Sequence, residues 1–277
     1  MPNLRIIADN AADRATITTS STAGSLTAAN MKQDRKSKVW RSLGTTASIT
    51  LIWATSEILS GLALPFCNLT ATATIRVRGY TLDTDVTPLF DTGTNPAVGY
   101  SGLGLWDWGA LPLGVNAYSY GGGAYATSWF STYFSVKKLV IDLADTNNAA
   151  GYIECSRLVT GSAWSPTFNT SFGIPVSVVD SSTHARSDSG DLVTTRGTQH
   201  RSISFDLNWL NAADRQRFSA IMKGNGLPKP MFISLFPEDL DKEKEQTYQL
   251  YGKMPQLSAL SHPIFTIYSG HIDIEEI

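Results

Sequence analysis

Charge is scarce in this sequence. Asp, Glu, Lys and Arg make up 17% of its 277 residues, against about 25% in an ordinary soluble domain. Net charge is −2, so no field over the whole molecule favours nucleic acid, and no nucleic-acid partner is expected. No apolar run reaches the roughly 18 residues that span a bilayer, so no membrane insertion is expected. The opening MPNLRIIADNAADR lacks the basic end and apolar stretch of a secretory signal, which reads as a protein made and kept in the cytoplasm. Cysteine is nearly absent. Cys67 and Cys155 both sit in apolar, strand-like runs and read as buried free thiols; a disulfide between them needs an oxidising compartment. Two cysteines and four scattered histidines make no metal-ligand cluster.

Catalytic motifs are missing too. There is no GxSxG, no HExxH and no phosphate-binding loop, and GLGLW (102–106) lacks the third glycine and the strand-to-helix setting of a dinucleotide fingerprint. No enzyme activity and no cofactor are expected. His184 and His200 flank Ser- and Gly-rich loops near Asp188 and Asp191, where a Ser/His/Asp site is conceivable, but Ser and Asp are so common here that chance explains the grouping. Asp83, Asp85 and Asp91 offer oxygens to a calcium ion, although aspartates after a strand are more often turn formers.

What is present is mostly strand. ATITTSS (15–21), ASITLIW (47–53), ILSGLALPF (58–66), ATIRVRGY (73–80) and VKKLVIDLA (136–144) are rich in β-branched residues, and Gly, Asn, Thr and Pro punctuate them. In TIRVRGY, Ile75 and Val77 alternate with Arg76 and Arg78, giving one buried face and one wet face. Regular short strands of this kind predict an antiparallel sandwich. One helix is predicted at about 212–223, capped by Asn211 with Asp214 at N3, burying Phe218, Ile221 and Met222, and stopped at Gly224. A boundary falls near residues 164–172.

Between residues 81 and 134 the texture changes. Lys and Arg disappear, while aromatic residues and glycine become dense. The segment reads as an ordered insertion in the sandwich. Its aromatics, Trp106, Trp108, Tyr118, Tyr120 and Trp129 among them, fill a gap, form a subunit interface, or stack on sugar rings; nothing local separates the three. The run NMKQDRKSKVWRS (30–42) groups Lys32, Arg35, Lys36, Lys38 and Arg41 around Asp34 and ends at Trp40. It reads most simply as a sandwich loop, with Asp34 fixing the turn and Trp40 plugging the end. An acidic partner surface or a glycan are the alternatives.

The stretches TITTSSTAGSLTAANMKQDRKSKVWRS, ASITLIWATSEILSGLALPFCNLTATATIRVRGY and SVKKLVIDLADTNNAAGYIECSRLVTGSAW resemble a galactose-binding-like (discoidin-type) jelly roll. In that pattern Trp40 takes the place of a structural Trp and Asp34 that of a turn acid. Arg35 stands where the family usually has Gly, which puts any inherited calcium or ligand site in doubt. GTQHRSISFDLNWLNAADRQRFSAIMKGNGLPKPMFISLFPED is similar to a segment of tailed-phage tail-tip proteins built on the tail-tube fold. The resemblances imply a mainly β chain: 1–164 a galactose-binding-like β-sandwich with the aromatic, Gly-rich insertion 81–134, and 165–277 a smaller tail-tube-like β-sandwich with one helix. They also imply a role as a structural component of a phage tail tip or baseplate, assembled in the bacterial cytoplasm. It would join a homo-oligomeric ring of six or three copies alongside tube and hub proteins. The alternative is a carbohydrate-binding module that attaches to a cell-surface glycan. A hydrolase built on His184 or His200 is the third reading.

Overall fold

The computed structural model describes residues 2–99 and 123–277, and the chain is mainly β. It divides into two compact units, residues 1–166 with 231–249, and residues 167–230 with 250–277. No single cut near residue 165 separates them, because the chain returns to the first unit after the helix.

The first unit begins with β1 (Arg5–Ile7), β2 (Thr16–Thr19), β3 (Trp40–Arg41), β4 (Thr46–Cys67), β5 (Thr74–Tyr80), β6 (Phe90–Asp91) and β7 (Asn95–Pro96). It continues with β8 (Ala124–Ala144), β9 (Glu154–Cys155) and β10 (Val159–Gly161). Its nine-stranded sheet runs β3-β9-β4-β8-β5-β6, with β2 and β10 also on β4 and β7 on β5. The runs 47–53 and 58–66 are one strand of 22 residues, and β8 has 21. Ladders that long must bend to enclose a core. Three register shifts, at 52/57, 59/61 and 64/67, supply the bends. Residues 124–134, expected inside the insertion, belong to β8 and are paired in the sheet.

The core follows the pleat. Ile49, Leu51 and Trp53 of β4, Ile75 and Val77 of β5, and Leu139, Ile141 and Leu143 of β8 all point inward. Several buried polar groups of this core are paired. Trp53 Nε1 donates to Ala11 O (2.8 Å), and the buried Asp145 accepts from Thr70 N, Thr70 Oγ1 and Asn148 Nδ2. Leaving such groups unmet costs about 1–3 kcal/mol each.

The second unit carries β11 (Val176–Asp180), β12 (Thr183–Arg186), β13 (Leu192–Thr195), β14 (Gln199–Leu210) and α1 (Ala212–Asn225). β15 (Met231–Ser234), paired with β1, and α2 (Lys242–Thr247) belong to the first unit. β16 (Gln249–Lys253), β17 (Leu260–Ile264) and β18 (Ile267–Glu276) complete the second, where β16, β18, β14 and β11 follow in order and β17 lies on β18.

α1 forms where expected. Asn211 accepts from Asp214 N (2.9 Å), and Phe218 packs against Gly270 of β18, where a Cβ would lie 2.7 Å from the ring. The helix runs two residues past the expected stop. Gly224 is inside it, and Gly226, at φ +56°, ends it, because only there does the backbone take a turn that glycine alone tolerates. The expectation of one helix is corrected by α2. Its apolar face is too short to show a period, and it is held by Asp241, which accepts from Lys244 N (3.1 Å).

Candidate functional site

A cleft of about 570 Å³ opens in the first unit between β6, β7, β8 and α2. Two glycines make it. Gly61 of β4 is directly opposite Trp129 of β8, and a Cβ there would lie 2.3 Å from the indole. Gly79 of β5 is directly opposite Phe90 of β6, and a Cβ would lie 2.1 Å from that ring. In each pair the missing side chain lets an aromatic ring lie flat across the facing strand. Phe90 then stacks on Phe134 (centroids 4.4 Å apart) and leans on Phe130 (4.6 Å). Trp129 carries the Arg5 guanidinium 4.8 Å from its ring centre. Its indole N–H is buried with no acceptor.

The opposite rim is polar and electrically balanced. Asp91 is gripped by Arg76 Nε and Nη2 (3.0 and 2.5 Å), and this pair, helped by Gly93 N, holds its carboxyl down at about 2. Glu238 is paired with Arg5 (2.7 Å), and Glu245 with Lys242 (2.7 Å). Asn95, an exposed residue, donates to Thr92 O and Gly93 O. α2 is locked to the mouth by Gln246, whose Oε1 accepts from Tyr125 N (3.1 Å) and whose Nε2 donates to Tyr125 O (2.6 Å).

Of the aromatics expected from sequence, Trp129 lines this cleft, while Trp106, Trp108, Tyr118 and Tyr120 lie outside the described residues. Asp34 and Trp40 belong to a different place. Trp40 is fully buried and donates to Ser21 O (3.1 Å). Asp34 is 3.1 Å from Arg157, a buried guanidinium that also binds Asp13 through both nitrogens (2.7 and 2.8 Å). Around them Arg41 pairs with Glu154 (2.6 Å) and Lys36 covers the Phe66 ring (4.5 Å). Part of the basic run is thus spent on the protein's own surface.

The aspartates weighed as calcium ligands, and read more simply as turn formers, do not converge. Asp85 accepts from Leu82 N in a turn, Lys138 donates to the Asp83 and Asp85 carbonyls, and Asp91 belongs to Arg76. Among the described residues no group of three His, Cys, Asp or Glu is placed to hold a metal ion. His184 bonds only Thr194 on the β12–β13 hairpin, and Asp188 and Asp191 sit in that hairpin's exposed turn.

The histidine with catalytic-looking partners is one that the sequence did not single out. His271 Nδ1 is 2.7 Å from Asp206, and its Nε2 is 3.2 Å from Ser204 Oγ and 2.9 Å from Asp273. Asp206 and Asp273 raise the imidazole above its usual range and favour the charged ring. With a carboxylate on each ring nitrogen, including the one that would have to take the serine proton, the imidazole is not poised as a general base. The four side chains pair across β14 and β18 on the face of a sheet, and the cleft is not theirs. They form a polar cross-strand cluster.

No helix among the described residues is long and apolar enough to cross a membrane. No protein-family model matches the chain, and no curated protein does. Solved structures do. A chitosan-binding module of a chitosanase/glucanase from Paenibacillus sp. IK-5 is 15% identical, with TM-score 0.37, over 56% of this chain and 99% of the module. The family 32 carbohydrate-binding module of C. perfringens NanJ, solved with galactose, is 12% identical, with TM-score 0.36, over 57% and 98%. A fucose-binding module of Streptococcus pneumoniae is 10% identical, with TM-score 0.38, over 56% and 98%. At these identities the likeness is one of backbone course, and no binding residue carries over from it.

Proposed function

We propose that the first unit is a binding module for a neutral carbohydrate, held in the cleft between β8 and α2. The observation that carries this reading is Trp129. It lies across Gly61 at the wall of a cleft of about 570 Å³, and the carboxylates Asp91, Glu238 and Glu245 at the rim are each matched by a cation. Such a cleft presents aromatic faces, single polar atoms and no net charge. A pyranose presents the complement: apolar C–H faces and hydroxyls that donate and accept. Trp129 supplies apolar wall, and the exposed Asn95 amide at the rim is a polar group placed to meet a hydroxyl. An anionic ligand would find each cation already taken.

The test is titration of the chain with a panel of neutral oligosaccharides, followed by tryptophan fluorescence and calorimetry. Saturable binding by at least one class is expected, lost in Trp129→Ala and largely kept in Trp129→Phe, which keeps an aromatic ring at the wall. A panel without a binder, or a binder indifferent to Trp129, refutes the reading.

A second reading rests on a separate observation in the second unit. β11, β12 and β13 expose nearly every side chain, Val178 (65%), Leu192 (58%) and Val193 (56%) included. Apolar residues on both faces of bare strands favour a covering neighbour. This supports an assembly protein, such as a ring component of a phage tail tip that docks on tube and hub proteins, with the first unit as its binding appendage. A chain that stays monomeric when mixed with such partners, with the hairpin still open to protease, counts against it.

A further inference from the structure

We propose that Cys67 and Cys155 form a built site for a cross-strand disulfide, which clamps the short strand β9 onto β4.

The two residues are partners directly opposite each other on antiparallel strands. The backbone bonds around them fix which kind of pair they are. Asn68 N–H donates to Glu154 O (3.1 Å), and Ser156 N–H donates to Phe66 O (3.2 Å). Both bonds therefore join the flanking residues, and the cysteines occupy the non-hydrogen-bonded position between them. At such a position the Cα atoms are about 4.5 Å apart and the side chains lie closest, inside the span of roughly 4.4–6.8 Å that disulfides bridge without moving the backbone. Both thiols point into the same core and are wholly buried. A one-residue slip would have put them on opposite faces.

The reduced pair is quiet in the closed fold. Burial pushes the Cys67 thiol up to about 11, and burial, with Cys67 beside it, also pushes Cys155 well above the usual thiol range, so little thiolate exists at neutral pH. The site is also shut to an oxidant. β9 is the element that can open it. It has two residues, it meets β4 at one residue pair, and its other neighbour, β3, also has only two residues. The bond is thus set while the chain folds, or when β9 frays. One thiolate attacks an external disulfide such as oxidised glutathione and releases a thiol. The second cysteine then loses its proton and displaces the other thiol. Two protons and two electrons leave the protein, the external disulfide becomes two thiols, and one Sγ–Sγ bond remains. The chain would carry thiols in a reducing compartment and the clamp outside it. The bond would close a loop of ~90 residues, long enough to restrict the unfolded chain strongly.

The test uses the full chain, refolded from urea in a glutathione redox buffer and in dithiothreitol. Oxidised material is expected to lose both titratable thiols, to weigh two protons less, and to yield one cross-linked peptide holding Cys67 and Cys155. It should melt several degrees above the reduced form, and dithiothreitol should reverse both changes. The proposal is overturned by two free thiols after oxidative refolding, by glutathione adducts or intermolecular dimers in place of the internal bond, or by an oxidised form that melts lower than the reduced one. Since the comparison is made on one unaltered sequence, no variant has to fold for it to decide.

Discussion

The basic run near the N-terminus leads to the sharpest stability prediction, because its acid is bound by a buried cation. Arg157 is 3% exposed and meets Asp13, Asp34 and the Met31 carbonyl, while the two carboxylates are 44% and 34% exposed. The cost of breaking this cluster must then depend on which side is removed. Arg157→Met removes the buried charge and returns two carboxylates to water, and Met31 O keeps its bond from Leu158 N. The loss is the net value of the charge-assisted bonds, about 1–3 kcal/mol. The double change Asp13→Asn with Asp34→Asn leaves the guanidinium in place, out of water and without a counter-charge. Stranding a buried ion costs about 3–5 kcal/mol. Each single Asp→Asn keeps one carboxylate and is expected to cost about 1 kcal/mol. At about 2–4 °C per kcal/mol, the four proteins should melt in a clear order, with the double aspartate variant lowest. Tryptophan fluorescence is the assay, because Trp209 is the single tryptophan outside the first unit. If Arg157→Met melts below the double variant, the assignment of Arg157 as the desolvated member of the cluster is wrong.

Other outcomes follow from single features. His271 has its folded pKa raised by Asp206 and Asp273, so its contribution is complete below the unfolded value near 6.5. It is lost as pH rises through the folded value. Urea midpoints of the second unit should fall over that window, and His271→Ala should flatten the dependence. Gly61→Ala puts a methyl against the Trp129 ring, which must move. A loss of about 1–3 kcal/mol together with weakened sugar binding is expected, and an unchanged near-UV spectrum with unchanged binding would disprove the seating of that ring. Asn211→Ala removes the cap of α1 and should cost ~1 kcal/mol, with Asn211→Asp close to neutral, both read by circular dichroism during urea unfolding.

Local signals in the chain were sufficient for much of the architecture. Alternation at Ile75 and Val77 matches their burial in β5, and the Asn211–Asp214 spacing matches the observed cap. These are properties of neighbours a few residues apart, where pleat and helical turn set the geometry. The bounds of long elements were less legible. Thr46–Cys67 reads as two runs because its bulges interrupt the period, although its ladder with β8 continues. Residues 124–134 read as part of an ordered insertion from their glycine-flanked, aromatic composition, and pairing with β4 makes them strand. α2 has no apolar period to read and depends on Gln246 gripping the Tyr125 backbone far away in the chain.

The candidate site was hidden for the same reason. Lone glycines in ILSGLALPF and TIRVRGY were the available sign, since a strand glycine marks a close approach, but nothing local says that Trp129 and Phe90 are what approach. Composition, periodicity and caps determined a charge-poor, β-rich chain with a strongly capped helix, because each of those depends on residues near one another along the backbone. Register between distant strands decided the rest: which aromatic faces which glycine, which acid meets Arg157, and that Cys67 meets Cys155. A pairing shifted by one residue turns every side chain of a strand to the other face, and that choice is made by the whole core at once.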